Sequence, residues 1–266
     1  MTLEWVLFFI VLGSGVGFVA GLLGVGGGGI LVPIFTSVLV YQGVPAHQVM
    51  HVALGTSMAC IIVTSFASAY AHQKHNAVNW SIARIMGVGC IVGSFAATFL
   101  ASQTNATYLV MFFALFLFYT AFKMLRNENE KTRIKKDNQT KTAIYYIFIG
   151  CVSALASIGG GSLLVPYLNR QGIRMSEAVG TSAAIGSPIA LAGTTGYLIN
   201  GFGQTEHVAF TLGYVYLPAV ALISIASLIS APIGAKVSHK LPVILLKKIF
   251  ATLLVMLGIK MAWLVT

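Results

Sequence analysis

Leu22-Leu23-Gly24-Val25-Gly26-Gly27-Gly28-Gly29-Ile30-Leu31-Val32-Pro33 is the stretch on which the reading of this chain turns. Four consecutive glycines sit between two apolar runs. Glycine costs a helix about 1 kcal/mol per position relative to alanine, so the stretch predicts a break between two hydrophobic segments. A second copy, Ile158-Gly159-Gly160-Gly161-Ser162-Leu163-Leu164-Val165-Pro166, places its proline 133 residues beyond Pro33. There Ser162 stands in the place of the fourth glycine and adds a hydroxyl donor. A break at membrane depth frees backbone N–H groups, and it is tolerated only inside protein or beside a wet cavity. The two breaks are therefore the first candidates for a binding site.

The surrounding composition supplies the membrane. Of 266 residues, 57% are hydrophobic and 8% charged, with a mean hydropathy of +0.88; a soluble domain carries about 25% charged residues. The chain is expected to be a polytopic membrane protein with the lipid bilayer as its surroundings and no room for a sizeable soluble domain. Its net charge of +10 lies between apolar segments and reads as an orientation signal, not as a nucleic-acid surface. The segment from Trp5 to Leu23 lacks a basic leader and a small-residue cleavage site, and reads as mature protein. Cys60, Cys90 and Cys151 lie far apart in apolar runs and read as small buried hydrophobes, with no disulfide or metal spacing.

Apolar segments are expected over 4–24, 29–41, 51–71, 82–101 and 107–125, and again over 142–158, 162–169, 178–199, 208–235 and 244–265. The segments that follow the breaks, 29–41 and 162–169, are short of the ~20 residues of a membrane helix. The repeat extends beyond the glycines. Ala53-Leu54-Gly55-Thr56-Ser57 is matched by Ala178-Val179-Gly180-Thr181-Ser182, and Phe113-Ala114 through Lys123-Met124 by Phe250-Ala251 through Lys260-Met261. Ordered matches at a near-constant offset indicate two structural repeats.

All 16 Lys and Arg residues except Lys260 fall in four clusters: Lys74 and Arg84; the central loop with Lys123; Arg170 and Arg174; and Lys236 to Lys248. The joins at 42–50, 102–106 and 200–207 have none. Placing the clusters in the cytoplasm makes each half one broken hairpin plus three crossings, with both termini outside. Three crossings are odd, so the second half is inverted. The expected fold class is thus an all-α polytopic membrane protein of two inverted repeats, each a glycine-broken helical hairpin plus three membrane-spanning helices. The first membrane repeat covers 1–125, a cytoplasmic linker 126–141, and the second membrane repeat 142–266.

Two Gly-rich motifs running into aliphatics and Pro, each trailed by a Gly-Thr-Ser segment, resemble the sulfite exporter TauE/SafE family from about Trp5 to Leu264. The resemblance implies an integral plasma (inner) membrane protein that moves small sulfur-containing anions, such as sulfite or organosulfonates, generally outward.

The residues supply compatible chemistry. A small anion in a membrane needs donors in place of its hydration shell, and N–H groups at a broken helix provide them with the help of the helix dipole. The substrate-binding candidates are Gly26, Gly27, Gly28 and Gly29 with Gly159, Gly160, Gly161 and Ser162. The competing reading is that these glycines only permit close helix packing. Thr56, Ser57, Thr181 and Ser182 are second candidates, set against a role in capping or back-bonding. No carboxylate lies in the middle of a segment, which argues against a carboxylate proton relay or a hard-cation carrier. The six histidines, His47, His51, His72, His75, His207 and His239, fall near segment ends; His51, close to Gly55-Thr56-Ser57, is the proton-linked candidate. No metal site, cofactor or catalytic set is expected, so the chain does not read as an enzyme. The alternatives are a carrier of another small anion or metabolite on the same scaffold, and a membrane assembly factor; oligomeric state is left open.

The charge pattern is tested by labelling. Arg133→Cys, in a cysteine-free background, should react with an impermeant thiol reagent only after the membrane is opened. Labelling in sealed cells would overturn the arrangement.

Overall fold

The computed structural model describes residues 2–24, 26–125, 139–205, 208–238 and 243–263. Most of the expected linker, 126–138, lies outside the described residues, as do Val25, His207 and His239. The two arms of the first break are α1 (Leu3–Leu23) and α2 (Gly28–Tyr41), followed by α3 (Ala46–Gln73), α4 (Trp80–Gln103) and α5 (Ala106–Leu125). The second half repeats the order: α6 (Gln139–Leu155) and α7 (Gly161–Arg170) flank the break, followed by α8 (Met175–Gly201), α9 (Leu217–Ser238) and α10 (Val243–Trp263). Among the described residues, α1, α3, α4, α5 and α9 are long and apolar enough to cross a membrane. With 14 residues, α2 is about 21 Å long at 1.5 Å per residue, short of a ~30 Å hydrocarbon core. The ten residues of α7 reach less far still. The polytopic all-α reading holds.

One expected segment divides. Residues 208–235 read as a single apolar run, but Val208 to Tyr216 form a turn and a short hairpin, β1 (Thr211–Leu212) paired antiparallel with β2 (Val215–Tyr216), and only then does α9 begin. Hydropathy cannot separate the two, because the hairpin is itself apolar. What anchors it is hydrogen bonding: Thr205 Oγ1 donates to Gly213 O at 2.7 Å, and Tyr214 N–H donates to Tyr197 O at 3.3 Å.

The halves interlock by exchange. α1 packs on α9 and α6 on α4, while α3 packs on α8 and α5 on α10. Directions follow from which residues meet. Along the first seam Gly13, Gly17 and Gly21 face Ile223, Ser227 and Ala231 in turn, so α1 and α9 run parallel. Gly89 and Gly93 face Tyr146 and Ile147, with Gly150 against Cys90, so α4 and α6 also run parallel. Between α3 and α8 the order reverses: Gly193 lies against Met58, Gly186 against Ser65 and Gly180 against His72. These seams are small-residue packing of the membrane kind, where bare backbone lets helices approach closely. A Cβ at Gly21 would overlap the carbonyl of Ala231, and one at Gly93 the carbonyl of Ile147. Apolar side chains such as Val11, Val88, Leu115 and Ile229 turn outward, as lipid requires.

The seams carry a test. Gly21→Leu should prevent α1 and α9 from closing and should abolish a monodisperse peak in detergent. Gly15→Ala, on the same helix with nothing within 4 Å of its added carbon, should leave the melting temperature unchanged or slightly raised.

Candidate functional site: the paired glycine breaks

The two breaks meet. A Cβ built on Gly26 would lie 3.2 Å from Cα and N of Gly159. Both breaks rest on the central stretches of α3 and α8: Gly26 and Gly159 face Ile61, and Gly159 O approaches Gly186. The residue just before each short helix, Gly27 (φ +82°) and Gly160 (φ +78°), adopts the left-handed conformation. Only glycine takes it without a steric penalty, and this turns the chain from one arm into the next. The first backbone bonds of α2 run from Ile30 and Leu31 to Gly27 O, and those of α7 from Leu163 and Leu164 to Gly160 O. The N–H groups ahead of them, at Gly28, Gly29, Gly161 and Ser162, have no place in the helical ladder.

Two carbonyl oxygens of the first break are, by contrast, occupied. Thr64 Oγ1 donates to Gly26 O at 3.0 Å, and Ser182 Oγ to Gly24 O at 3.4 Å and to Val179 O at 2.8 Å. Ser157 Oγ donates to Leu54 O at 2.9 Å, tying the end of α6 to α3. Ser157 O sits so close to Gly28 that a side chain there would overlap it. Close packing and N–H groups outside the helical ladder therefore coexist in one place. Gly26, Gly28 and Gly159 are held by backbone contact. Gly29 is looser, with Leu254 Cδ2 3.3 Å from its missing side chain. Ser162 Oγ is buried and finds no partner among the described residues.

The Gly-Thr-Ser segments are brought near the breaks in part. Thr56 and Thr181 each accept a backbone N–H at the start of a helix in the opposite half. Tyr216 N–H donates to Thr56 Oγ1 at 2.9 Å just before α9, and Asn79 N–H to Thr181 Oγ1 at 2.9 Å just before α4. The adjacent glycines open the space for this, since a Cβ on Gly55 would overlap Tyr214 O and one on Gly180 would overlap Ala77 O. Capping is thus present, but of another helix and not their own. Ser57 is fully buried, with no partner for its hydroxyl among the described residues.

His51 is not at the breaks. It lies one turn into α3, with Nδ1 facing His47 O at 3.1 Å and Nε2 facing Ala101 O at 3.1 Å and Thr104 O at 3.2 Å. Its ring packs on Tyr214 at 5.2 Å. In that loop, burial pushes the Tyr214 phenol above the ordinary tyrosine value. Cys60 and Cys90 are buried, and Cys151 Sγ–H donates to Gly93 O at 3.2 Å within the α4–α6 seam. No cluster of three metal-ligating side chains occurs among the described residues.

Sequence reading missed Thr64, Ser65, Ser157 and Gly186. The signal was available for the first two: adjacent hydroxyls in the middle of an apolar run are costly in lipid unless they are used.

A helical membrane protein built this way belongs to the polytopic transporters. The sulfite exporter TauE/SafE family matches residues 9–261, and the chain belongs to that family. It is 34% identical to a probable membrane transporter protein of Haemophilus influenzae over 258 residues, covering 97% of this chain and 98% of that one. A probable membrane transporter protein of Methanocaldococcus jannaschii is 27% identical over 254 residues, or 95% and 93% of the two chains. No solved structure matches the chain.

The contact between the breaks predicts an asymmetry within one motif. Gly28→Ala, which collides with the Ser157 carbonyl, should abolish folded protein as judged by gel filtration. Gly29→Ala, which meets only the tip of Leu254, should purify normally.

Proposed function

We propose that this transporter carries a small sulfur-containing anion, such as sulfite or an organosulfonate, outward across the plasma membrane, and binds it where the two glycine breaks meet. The observation that carries the reading is the convergence of two helix N-termini on one buried point. Each N-terminus presents about half a positive charge, and two such ends side by side repel unless something negative lies between them. The hydroxyls of Thr64 and Ser182 cover the Gly26 and Gly24 carbonyl oxygens of the first break, which leaves the N–H groups of the helix starts as the donors a ligand would meet. Gly26 to Gly29, Gly159, Gly161 and Ser162 would supply N–H groups, with the Ser162 hydroxyl beside them, while the Gly160 N–H donates to Ile158 O. Ser57 would serve as a nearby buried donor. Thr56 and Thr181 hold the helices that frame the site.

The reading includes an architecture. The antiparallel α3–α8 pair and the parallel α1–α9 and α4–α6 seams are what two inverted repeats produce, with an axis in the membrane plane passing near the breaks. The basic clusters in the joins would put both termini outside. A transport cycle would then rock the framing helices about the paired breaks, and an enzyme activity has no role in it. His51, near the start of α3 and against the end of α4, would be the residue to link a proton to that movement without touching the anion.

Purified protein in proteoliposomes should move sulfite or a simple sulfonate faster than protein-free vesicles do. Ser162→Ala should raise KM roughly tenfold to a hundredfold, since a hydrogen bond to a charged group is worth about 1.5–3 kcal/mol. Vesicles with no anion-dependent flux would refute the assignment.

A further inference from the structure

We infer that the paired breaks select a singly charged oxyanion, and that the Ser65 hydroxyl is a side-chain donor to it. The inference rests on the proposed function just given, and it names the charge of the substrate and a residue outside both glycine motifs.

Ser65 is 2% exposed, and its Oγ has no hydrogen-bond partner among the described residues. A serine within a helix ordinarily returns its hydroxyl to a carbonyl one turn back. Thr64 does so with Ile61 O at 3.3 Å while reaching Gly26 O, and Ser182 does so with Val179 O. Ser65 does not. Its oxygen lies 3.0 Å from the position a Cβ on Gly159 would take and 2.9 Å from that of Gly186. It is therefore wedged between two bare stretches of backbone, beside the break that opens α7. A hydroxyl held there is buried and unpaired, beside the glycine that precedes the cap of α7.

The charge follows from what else is buried. Among the described residues the buried polar side chains are hydroxyls together with His51 and His72; Lys, Arg, Asp and Glu are absent from them. The two histidines lie 14 and 7 residues along α3 from Ser65, about 21 and 10 Å by helical rise. The compensation at the breaks is thus two helix N-termini, about half a charge each, which matches one negative charge. The Born cost of removing an ion from water grows with the square of its charge, about fourfold for a dianion over a monoanion, and no buried cation is at hand to offset it. Hydrogensulfite and alkyl sulfonates satisfy this condition. Sulfate and fully ionised sulfite do not.

Thermal stabilisation of the purified full chain tests both parts. Methanesulfonate, a monoanion throughout, should protect equally at pH 6 and pH 8. Sulfite should protect less at pH 8 than at pH 6, and sulfate should not protect. Sulfate protecting as well as methanesulfonate would overturn the charge selection, with no variant required. Ser65→Ala should keep or raise the melting temperature of the ligand-free protein, since an unpaired hydroxyl is removed, while the half-protecting methanesulfonate concentration rises at least tenfold. An unchanged concentration would overturn the role of Ser65 and leave the transport reading standing. Ser65→Cys, a weaker donor of similar size, should fall between the two. If no oxyanion protects or is carried by the native protein, the paired-break reading fails, and this inference with it.

Discussion

The structure depends on the contact between Gly26 and Gly159, at the point where two interrupted helices meet against the middle of α3 and α8. Each interruption would be ruinous alone, because lipid offers nothing to a free N–H or C=O group. Brought together, the breaks shield one another, and hydroxyls from α3 and α8 take up two carbonyls of the first. What remains is a pair of helix starts enclosed by protein. On the function proposed above, packing and binding would not compete: the absence of side chains that lets backbone approach backbone would also leave the N–H groups to a small ligand.

The frame around that point is held by exchange between the halves. Each half lends its first helix to the fourth helix of the other, and each Gly-Thr pair seats the start of a helix it does not belong to. The starts of α4 and α9 are each joined to a threonine of the opposite half. The two halves share a centre where the α3–α8 pair crosses the breaks. On the function proposed above, alternating access would turn about this centre.

Two of the hydroxyl pairs illustrate how chemically similar residues acquire different work. Thr56 and Thr181 accept hydrogen bonds from loop backbone and belong to the framework. Thr64 and Ser65 are neighbours on α3, yet one closes a carbonyl of the break while the other lies unpaired between glycines. The difference is one of facing. Successive helical residues point about 100° apart, so a neighbour of the same chemistry meets a different wall.

Much of this was legible in the sequence. The composition dictates a membrane, because so few charges cannot cover a soluble surface. The two Gly-rich stretches dictate breaks, because glycine runs cannot hold a helix, and their ordered recurrence dictates two related halves. Only the tertiary structure decided the rest. That Gly26 meets Gly159, that Thr56 seats α9 and Thr181 seats α4, and that Ser65 lies between Gly159 and Gly186 are contacts between residues far apart in the chain, and no local propensity or spacing encodes them. Residues 208–216 form a hairpin because of bonds to the end of α8, which hydropathy does not register. Sequence carries what each segment cannot do by itself; the fold determines which distant segment makes up the deficit.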